Sequence, residues 1–259
     1  MSKLAKGALF GRVHDFLKVY LPKQRQLSSN TIFAYQKSLE LLFDFVKNQN
    51  DIHLSEVTFD MLTADTITAF LESLETERKC GISTRNHRLA AIKSFITYAA
   101  AMDITVVAVQ TELDKIPMRK ASTISSVEYM SESAISAIFE QPDISKEKGV
   151  RDRFLMILMY DTGARVQEII DIKLCDFRYG KTPTVTLNGK GGKMRTAPIM
   201  DKTVEHLKQY ISLFHSPTFA NSDERLFYSV IHGKRNSLSN DCIGKFVKQY
   251  GTAALYRSS

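Results

Sequence analysis

Arg165 and Glu168, three residues apart, and Lys190, Lys193 and Arg195, crowded into one short segment, are the residues whose types and spacing could do chemistry. A guanidinium stays protonated and presents a planar fork of N–H donors that matches a phosphate. An ammonium on a glycine-rich segment is a compact cation that can reach a partner the core cannot. The chemistry indicated is recognition of a phosphate. The plainer alternative makes Arg165 the ion-pair partner of Glu168 on a helix surface, and the lysines a solvated basic hairpin.

The elements around these residues follow from pattern. A strongly apolar run, Phe154–Tyr160, leads into Thr162-Gly163, where glycine removes the steric cost of a turn. A helical pattern restarts with Val166, Ile169, Ile170 and Ile172 on its buried side, which places Arg165 in the first turn of a new helix. Thr184–Leu187 alternates polar and apolar residues, Asn188–Lys193 is a turn rich in glycine, and Met194–Ile199 is extended again. This is a β-hairpin with Lys190 and Lys193 at or beside its tip.

In this order, an apolar helix, a Thr-Gly-x-Arg-x-x-Glu helix and a hairpin bearing Gly-Lys-Gly-x-Lys-x-Arg, the segment resembles the tyrosine recombinase (phage-type integrase) family. The residues that carry the likeness are Thr162, Gly163, Arg165, Glu168, Gly189, Lys190, Gly191, Lys193, Arg195 and Pro198. The resemblance implies that Arg165 is the first catalytic arginine and Lys190 the hairpin lysine, with Lys193 the runner-up. It places Lys193 and Arg195 among the DNA-binding residues. The activity implied is cleavage and rejoining of DNA strands through a 3′-phosphotyrosine, without a cofactor or metal.

Upstream, four apolar-faced helical patterns follow one another. Val13, Phe16, Leu17 and Tyr20 mark the first; Ile32, Tyr35, Leu39, Leu42, Phe43 and Val46 the second, with Ser28-Ser29-Asn30 as N-cap candidates. Asp65 is expected to cap a third carrying Ile67, Phe70, Leu71 and Leu74, and Ser83 or Thr84 to start a fourth with Leu89, Ile92, Phe95 and Ile96. This bundle resembles the core-binding, SAM-like domain of the same recombinases. Arg85, Arg88 and Lys93 read as lying off the apolar face and as contacts to DNA backbone phosphates, the alternative being a solvated helix face. The division expected is a flexible arm over 1–9, the DNA-clamping helical domain over 10–103, a linker over 104–130 and a partial catalytic domain over 131–259. The fold class is mainly α with a small antiparallel β-sheet, a four-helix bundle followed by a partial α+β integrase domain.

Composition is consistent with this. Hydrophobic residues make up 44% of the chain, which supports real cores, and the formal net charge is +7. A pI near 9.2 favours a polyanionic partner, and double-stranded DNA is the simplest one. No stretch approaches the roughly 18 apolar residues of a membrane span. Three separated cysteines and six scattered histidines form no disulfide framework and no metal pattern, and a cytoplasmic setting fits.

Ser131 and Asp201 read as caps of further helices, Arg225–Ser229 as a short strand, and Ser239 or Asn240 as the cap of a last helix that Gly251 is expected to stop. Past Asn240–Tyr250 the family pattern continues with His-x-x-Arg-His and then the nucleophilic tyrosine. Here the sequence runs Ala254-Leu255-Tyr256-Arg257-Ser258-Ser259 and stops. His232-Gly233-Lys234-Arg235 has part of that spacing but precedes the helix, and reads as a solvated basic loop. Tyr250 reads as a packing residue and Tyr256 as a tail residue. The expectation is therefore a C-terminally truncated recombinase that binds DNA without cutting it alone and leaves an apolar patch uncovered. The partners expected on double-stranded DNA are a second copy of this chain, by self-association, or a complete recombinase; the alternative function is a non-enzymatic DNA-binding regulator competing with such a recombinase.

Overall fold

The structure, a computed structural model, describes residues 8–120, 129–189, 191–215 and 222–257. Lys190, most of the expected arm and the stretch 121–128 of the expected linker lie outside the described residues. Two compact units divide the chain, Met1–Ser126 and Val127–Ser259.

The first unit is helical. Helix α1 (Ala8–Asp15) runs on into a wider π-type stretch, Phe16–Gln24, that contains Pro22. Leu9 is only 2% exposed, so the part of the expected arm that is described belongs to a packed helix. Helix α2 (Ser29–Asn50) starts where the Ser28 hydroxyl accepts the Thr31 amide at 3.3 Å. Helix α3 (Ala64–Thr76) is capped by Thr63, whose hydroxyl accepts the Thr66 amide at 3.1 Å, and not by Asp65, which lies in the first turn. Helix α4 (Ile82–Met102) starts one or two residues before the expected Ser83 or Thr84. The core centres on Phe16 and Phe95, whose rings meet edge-on at 5.4 Å.

Residues 104–116 are not an open connection. Helix α5 (Val107–Asp114) packs on α4, and Val106, Leu113 and Ile116 are buried in the same core as Leu89 and Ile92. Val106 and Val109, in the stretch expected as linker, supply part of that contact, whereas Val107 stays exposed.

The second unit begins with α6 (Glu132–Phe139), where the Ser131 hydroxyl accepts the Ala134 amide at 3.2 Å. Helices α7 (Glu147–Thr162) and α8 (Val166–Asp171) follow, joined by a short bend. Strands β1 (Phe177–Arg178), β2 (Thr184–Asn188) and β3 (Met194–Pro198) form an antiparallel sheet in that order. Helix α9 (Asp201–Phe214) opens at Met200 without a side-chain cap, so Asp201 is its first residue and does not cap it.

The strand expected at Arg225–Ser229 is displaced. Strands β4 (Tyr228–Ile231) and β5 (Lys234–Ser237) form a hairpin whose two-residue turn holds His232 at φ 50 and Gly233 at φ 73. Helix α10 (Asn240–Arg257) begins where Ser239 accepts the Cys242 amide at 3.2 Å, and runs through Gly251 instead of stopping there. Phe154, Ile169, Leu187, Tyr210 and Phe227 are central to the core. Between α6 and α10 an apolar groove of about 440 Å³ stays open, lined by Met130, Ile138 and Leu255 among others. Among the described residues no helix is long and apolar enough to cross a membrane.

Candidate phosphate-binding site

The site is built on the bend between α7 and α8. Helix α7 ends at Gly163, which sits at φ 57, a left-handed conformation that costs a residue without Cβ little. Arg165 follows in extended conformation (φ −69, ψ 152) as the residue before α8, one position earlier than the first helical turn expected. Glu168, one turn in, reaches back: its Oε2 accepts the Arg165 amide at 3.1 Å and its Oε1 accepts Arg165 Nη1 at 2.8 Å. The Glu168 side chain is 3% exposed and that of Arg165 is 76% exposed. The ion pair and an open guanidinium therefore coexist. Burial alone would push the Glu168 carboxyl up, but the Arg165 amide and the guanidiniums of Arg195 and Arg165 outweigh it and hold the carboxyl down to about 2.

The β2–β3 hairpin stands against this carboxylate. The Gly189 amide donates to the Lys193 carbonyl at 2.7 Å, and Gly191 and Gly192 turn the chain at φ 78 and φ 73. A Cβ on Gly189 would lie 3.0 Å from the Lys193 carbonyl oxygen and 3.3 Å from Glu168 Oε1. The root of the hairpin thus touches the group that pairs with Arg165. Lys190 is the next residue and lies outside the described residues; Lys193 is exposed.

Arg195 sits differently from its expected role. It pairs across the sheet with Leu187, so its side chain starts from the inner face, next to a fully buried neighbour. Its guanidinium donates to the carbonyls of Thr162 (3.2 Å) and Gly163 (3.1 Å) and to Glu168 Oε2 (2.9 Å). These donors are engaged within the protein, while the side chain as a whole is 42% exposed. The Asp161 carboxylate also accepts the Met200 amide at 2.8 Å, fastening the end of α7 to the segment after β3. Two signals for these contacts were in the sequence: the alternation Arg195, Ala197, Ile199 and the glycine at 189. The carbonyl acceptors at the end of α7 left no trace in the residue letters.

The first-unit candidates fare unlike Arg165. Arg85 is 4% exposed and lies on the apolar face of α4, not off it, in step with Leu89 and Ile92. Its Nε stands 3.5 Å from Glu75 Oε1, and its Nη1 donates to Asn86 at 3.2 Å. Lys93 donates to the carbonyls of Asp114 (3.3 Å) and Ile116 (2.8 Å), closing the end of α5. Arg88 is partly buried, with one guanidinium nitrogen enclosed and unpartnered among the described residues. The surface expected to meet phosphates is, at Arg85 and Lys93, a seam within the bundle.

Tyr250 and the His232–Arg235 stretch are both held by contacts within the second unit. The Tyr250 hydroxyl donates to the fully buried Asp152 at 3.1 Å, and burial together with the Asp152 charge pushes its pKa up to about 12. Arg235 lies in a strand, with its guanidinium 4.3 Å from the Tyr228 ring centroid and 2.9 Å from Glu224, so the expected solvated loop is a structured hairpin.

A family model described as "Phage integrase family" matches residues 128–256, and another, "Phage integrase, N-terminal SAM-like domain", matches residues 13–102. A putative integrase/recombinase, y4rD, of Sinorhizobium fredii is 32% identical over 188 residues, which are 72% of this chain and 66% of that protein. A second from that organism, y4rC, is 30% identical over 77% of this chain, and this chain covers 60% of it. The chain thus spans under two thirds of the length of these relatives. Tyrosine recombinase XerD of Staphylococcus haemolyticus is 30% identical over 247 residues, 93% of this chain and 77% of that protein.

In fold, the chain is similar to XerH site-specific recombinase bound to palindromic difH substrate in a post-cleavage complex, with a TM-score of 0.65 at 17% identity over 92% of this chain and 67% of that one. The Tn1549 transposon integrase in complex with circular intermediate DNA gives a TM-score of 0.58 at 13% identity over 93% and 79%. A bend presenting an arginine beside a glycine-rich hairpin, two matched domain models and a recombinase relative aligned over nearly the whole sequence converge on one assignment: the chain belongs to the tyrosine recombinase (phage integrase) family.

Proposed function

We propose that residues 1–259 bind duplex DNA and hold one backbone phosphodiester at Arg165, as strand cleavage by a tyrosine recombinase requires. One observation carries this reading: a guanidinium 76% exposed is fixed from behind by a buried carboxylate, beside the root of a glycine-rich hairpin. In-line attack on phosphorus builds charge on the non-bridging oxygens, and pre-placed donors lower that barrier. By the family pattern, Lys190 delivers the proton to the leaving 5′-oxygen, and Lys193 lies along the DNA backbone. Removing one such donor reduces a rate on the order of a hundredfold or more.

Cleavage also needs a second arginine, its histidines and a tyrosine nucleophile. These 259 residues contain no His-x-x-Arg-His sequence, and the Tyr250 hydroxyl is engaged by Asp152. On their own they bind and do not cut. Fluorescence anisotropy with labelled duplex DNA measures the binding, and a suicide substrate that traps covalent protein on a denaturing gel tests the absence of cutting. Salt-independent or absent binding overturns the first statement, and a trapped adduct the second.

The engaged Tyr250 also favours a second reading, a non-enzymatic competitor or partner of a complete recombinase on the same DNA. Mixing the two proteins separates the readings. Complementation of a catalytically deficient recombinase supports a contributing half, and inhibition of an active one supports a regulator.

A further inference from the structure

We propose that Arg195 is a positioning residue for Arg165: its fork joins the carbonyls of Thr162 and Gly163 to the Glu168 carboxylate and so sets the bend that presents the Arg165 guanidinium. The proposal rests on the reading of Arg165 as the phosphate-holding group.

The geometry makes Arg195 a bracket across the bend. Two of its acceptors lie at the end of α7 and the third on α8, at 3.2, 3.1 and 2.9 Å. Arg165 lies between those two anchor points in sequence. The last carbonyls of a helix have no intrahelical partner, so they are natural acceptors for such a fork. Charge gives Arg195 a second task. A carboxylate 3% exposed requires a counter-ion. If Arg165 were its only partner, the attraction would hold that guanidinium down on Glu168. Arg195 shares the carboxylate from the inner face of β3, which leaves most of the Arg165 charge for a second anion. A lysine cannot replace it, since one ammonium nitrogen does not span three acceptors that a planar fork reaches together.

The hairpin is thereby coupled to the bend. Arg195 is on β3, and Gly189 at the hairpin root approaches the same carboxylate. Seating the hairpin and orienting Arg165 become one event.

The test uses the full chain with Arg195→Lys, Arg195→Gln, Arg165→Ala and the double variants of Arg165→Ala with each. Duplex-DNA affinity is read by anisotropy, and the Arg165 Nε–Hε resonance of the free protein by NMR, assigned from its loss in Arg165→Ala. Arg195→Lys, although it keeps the charge, should weaken DNA binding about fivefold to tenfold, as Arg195→Gln does. Neither should add more than about twofold in the Arg165→Ala background. The Arg165 resonance should move in both single variants. Wild-type affinity in Arg195→Lys with a loss only in Arg195→Gln would make Arg195 a direct phosphate contact and overturn the proposal. So would losses that add fully to that of Arg165→Ala, or an unmoved Arg165 resonance. If Arg165→Ala itself binds as the wild type does, the phosphate reading fails instead, and the resonance alone decides whether Arg195 positions Arg165. Should Arg195→Gln unfold, Arg195→Lys, which keeps the charge and most of the stem, carries the test.

Discussion

Helix α4 and the α7–α8 bend each carry an arginine that sequence alone would offer to a phosphate, and the two are used in opposite ways. Arg85 is buried against Glu75, beside Arg119 and Asn86, and its guanidinium works inside the bundle. Arg165 has its acidic partner too, yet remains 76% exposed, and Arg195 shares that carboxylate. The contrast shows that a basic residue is available to DNA only by what remains after its internal partners are served. A second cation can free the first, and a core position removes it altogether.

The sharpest way to break the comparison is Arg85→Ala. It should destabilise the first unit by about 2–4 kcal/mol, somewhat below the roughly 3–5 kcal/mol for breaking a fully buried ion pair because Glu75 keeps Arg119, read by urea unfolding. An unchanged unfolding midpoint with a large loss of DNA affinity would place Arg85 on the DNA side after all. Arg165→Ala should do the reverse. Stability should fall by only about 1–2 kcal/mol, since the buried Glu168 carboxylate keeps Arg195 and the backbone amide at 165 as partners, while DNA affinity falls about tenfold, in line with one charge-assisted contact. The slope of log K against log salt should also shrink by about 0.9, the share of one phosphate.

Lys93→Met sharpens the first half of the comparison. It removes two bonds to the end of α5 and should cost about 1 kcal/mol by unfolding, with DNA affinity unchanged once the protein is folded. The smallest effect near neutrality is that of acid on the bend. The Glu168 carboxyl is held below its ordinary 4.5, at about 2, so its contribution to stability is complete above 4.5 and is lost as pH falls through that window. Glu168→Gln should abolish this acid dependence in NMR-monitored titration of the bend, and a dependence that persists would assign it to another carboxylate.

Much of this arrangement was legible from residue types. Ser28, Ser131 and Ser239 cap their helices as hydroxyls before apolar-periodic runs should, and the hairpin at 184–198 follows alternation interrupted by glycine. The errors have local causes. Thr63 outcompetes Asp65 because only its hydroxyl sits one residue ahead of the first helical turn. Gly251 does not stop α10 because a glycine ends a helix only where the chain turns left-handed, as Gly163 does. Strand β1, two residues long, is too short to show alternation. His232-Gly233 is a turn signal between two short strands whose residues, all polar in the second, hide the extended pattern. Arg85 shares the helical spacing of Leu89 and Ile92, so its place on the buried face is visible in the sequence although its residue type argues for solvent. Arg195 depends on cross-strand register and on backbone carbonyls, which one-dimensional spacing does not encode.

The approach of Gly189 to Glu168 also bears on how this region can be rebuilt. An engineer swapping α8 alone into a relative would import Arg165 without its bracket, and one swapping the hairpin alone would set a foreign loop against an unmatched acid. Chimeras should therefore exchange residues 161–200 as one cassette, with length changes confined to the stretch around Gly191 and Gly192.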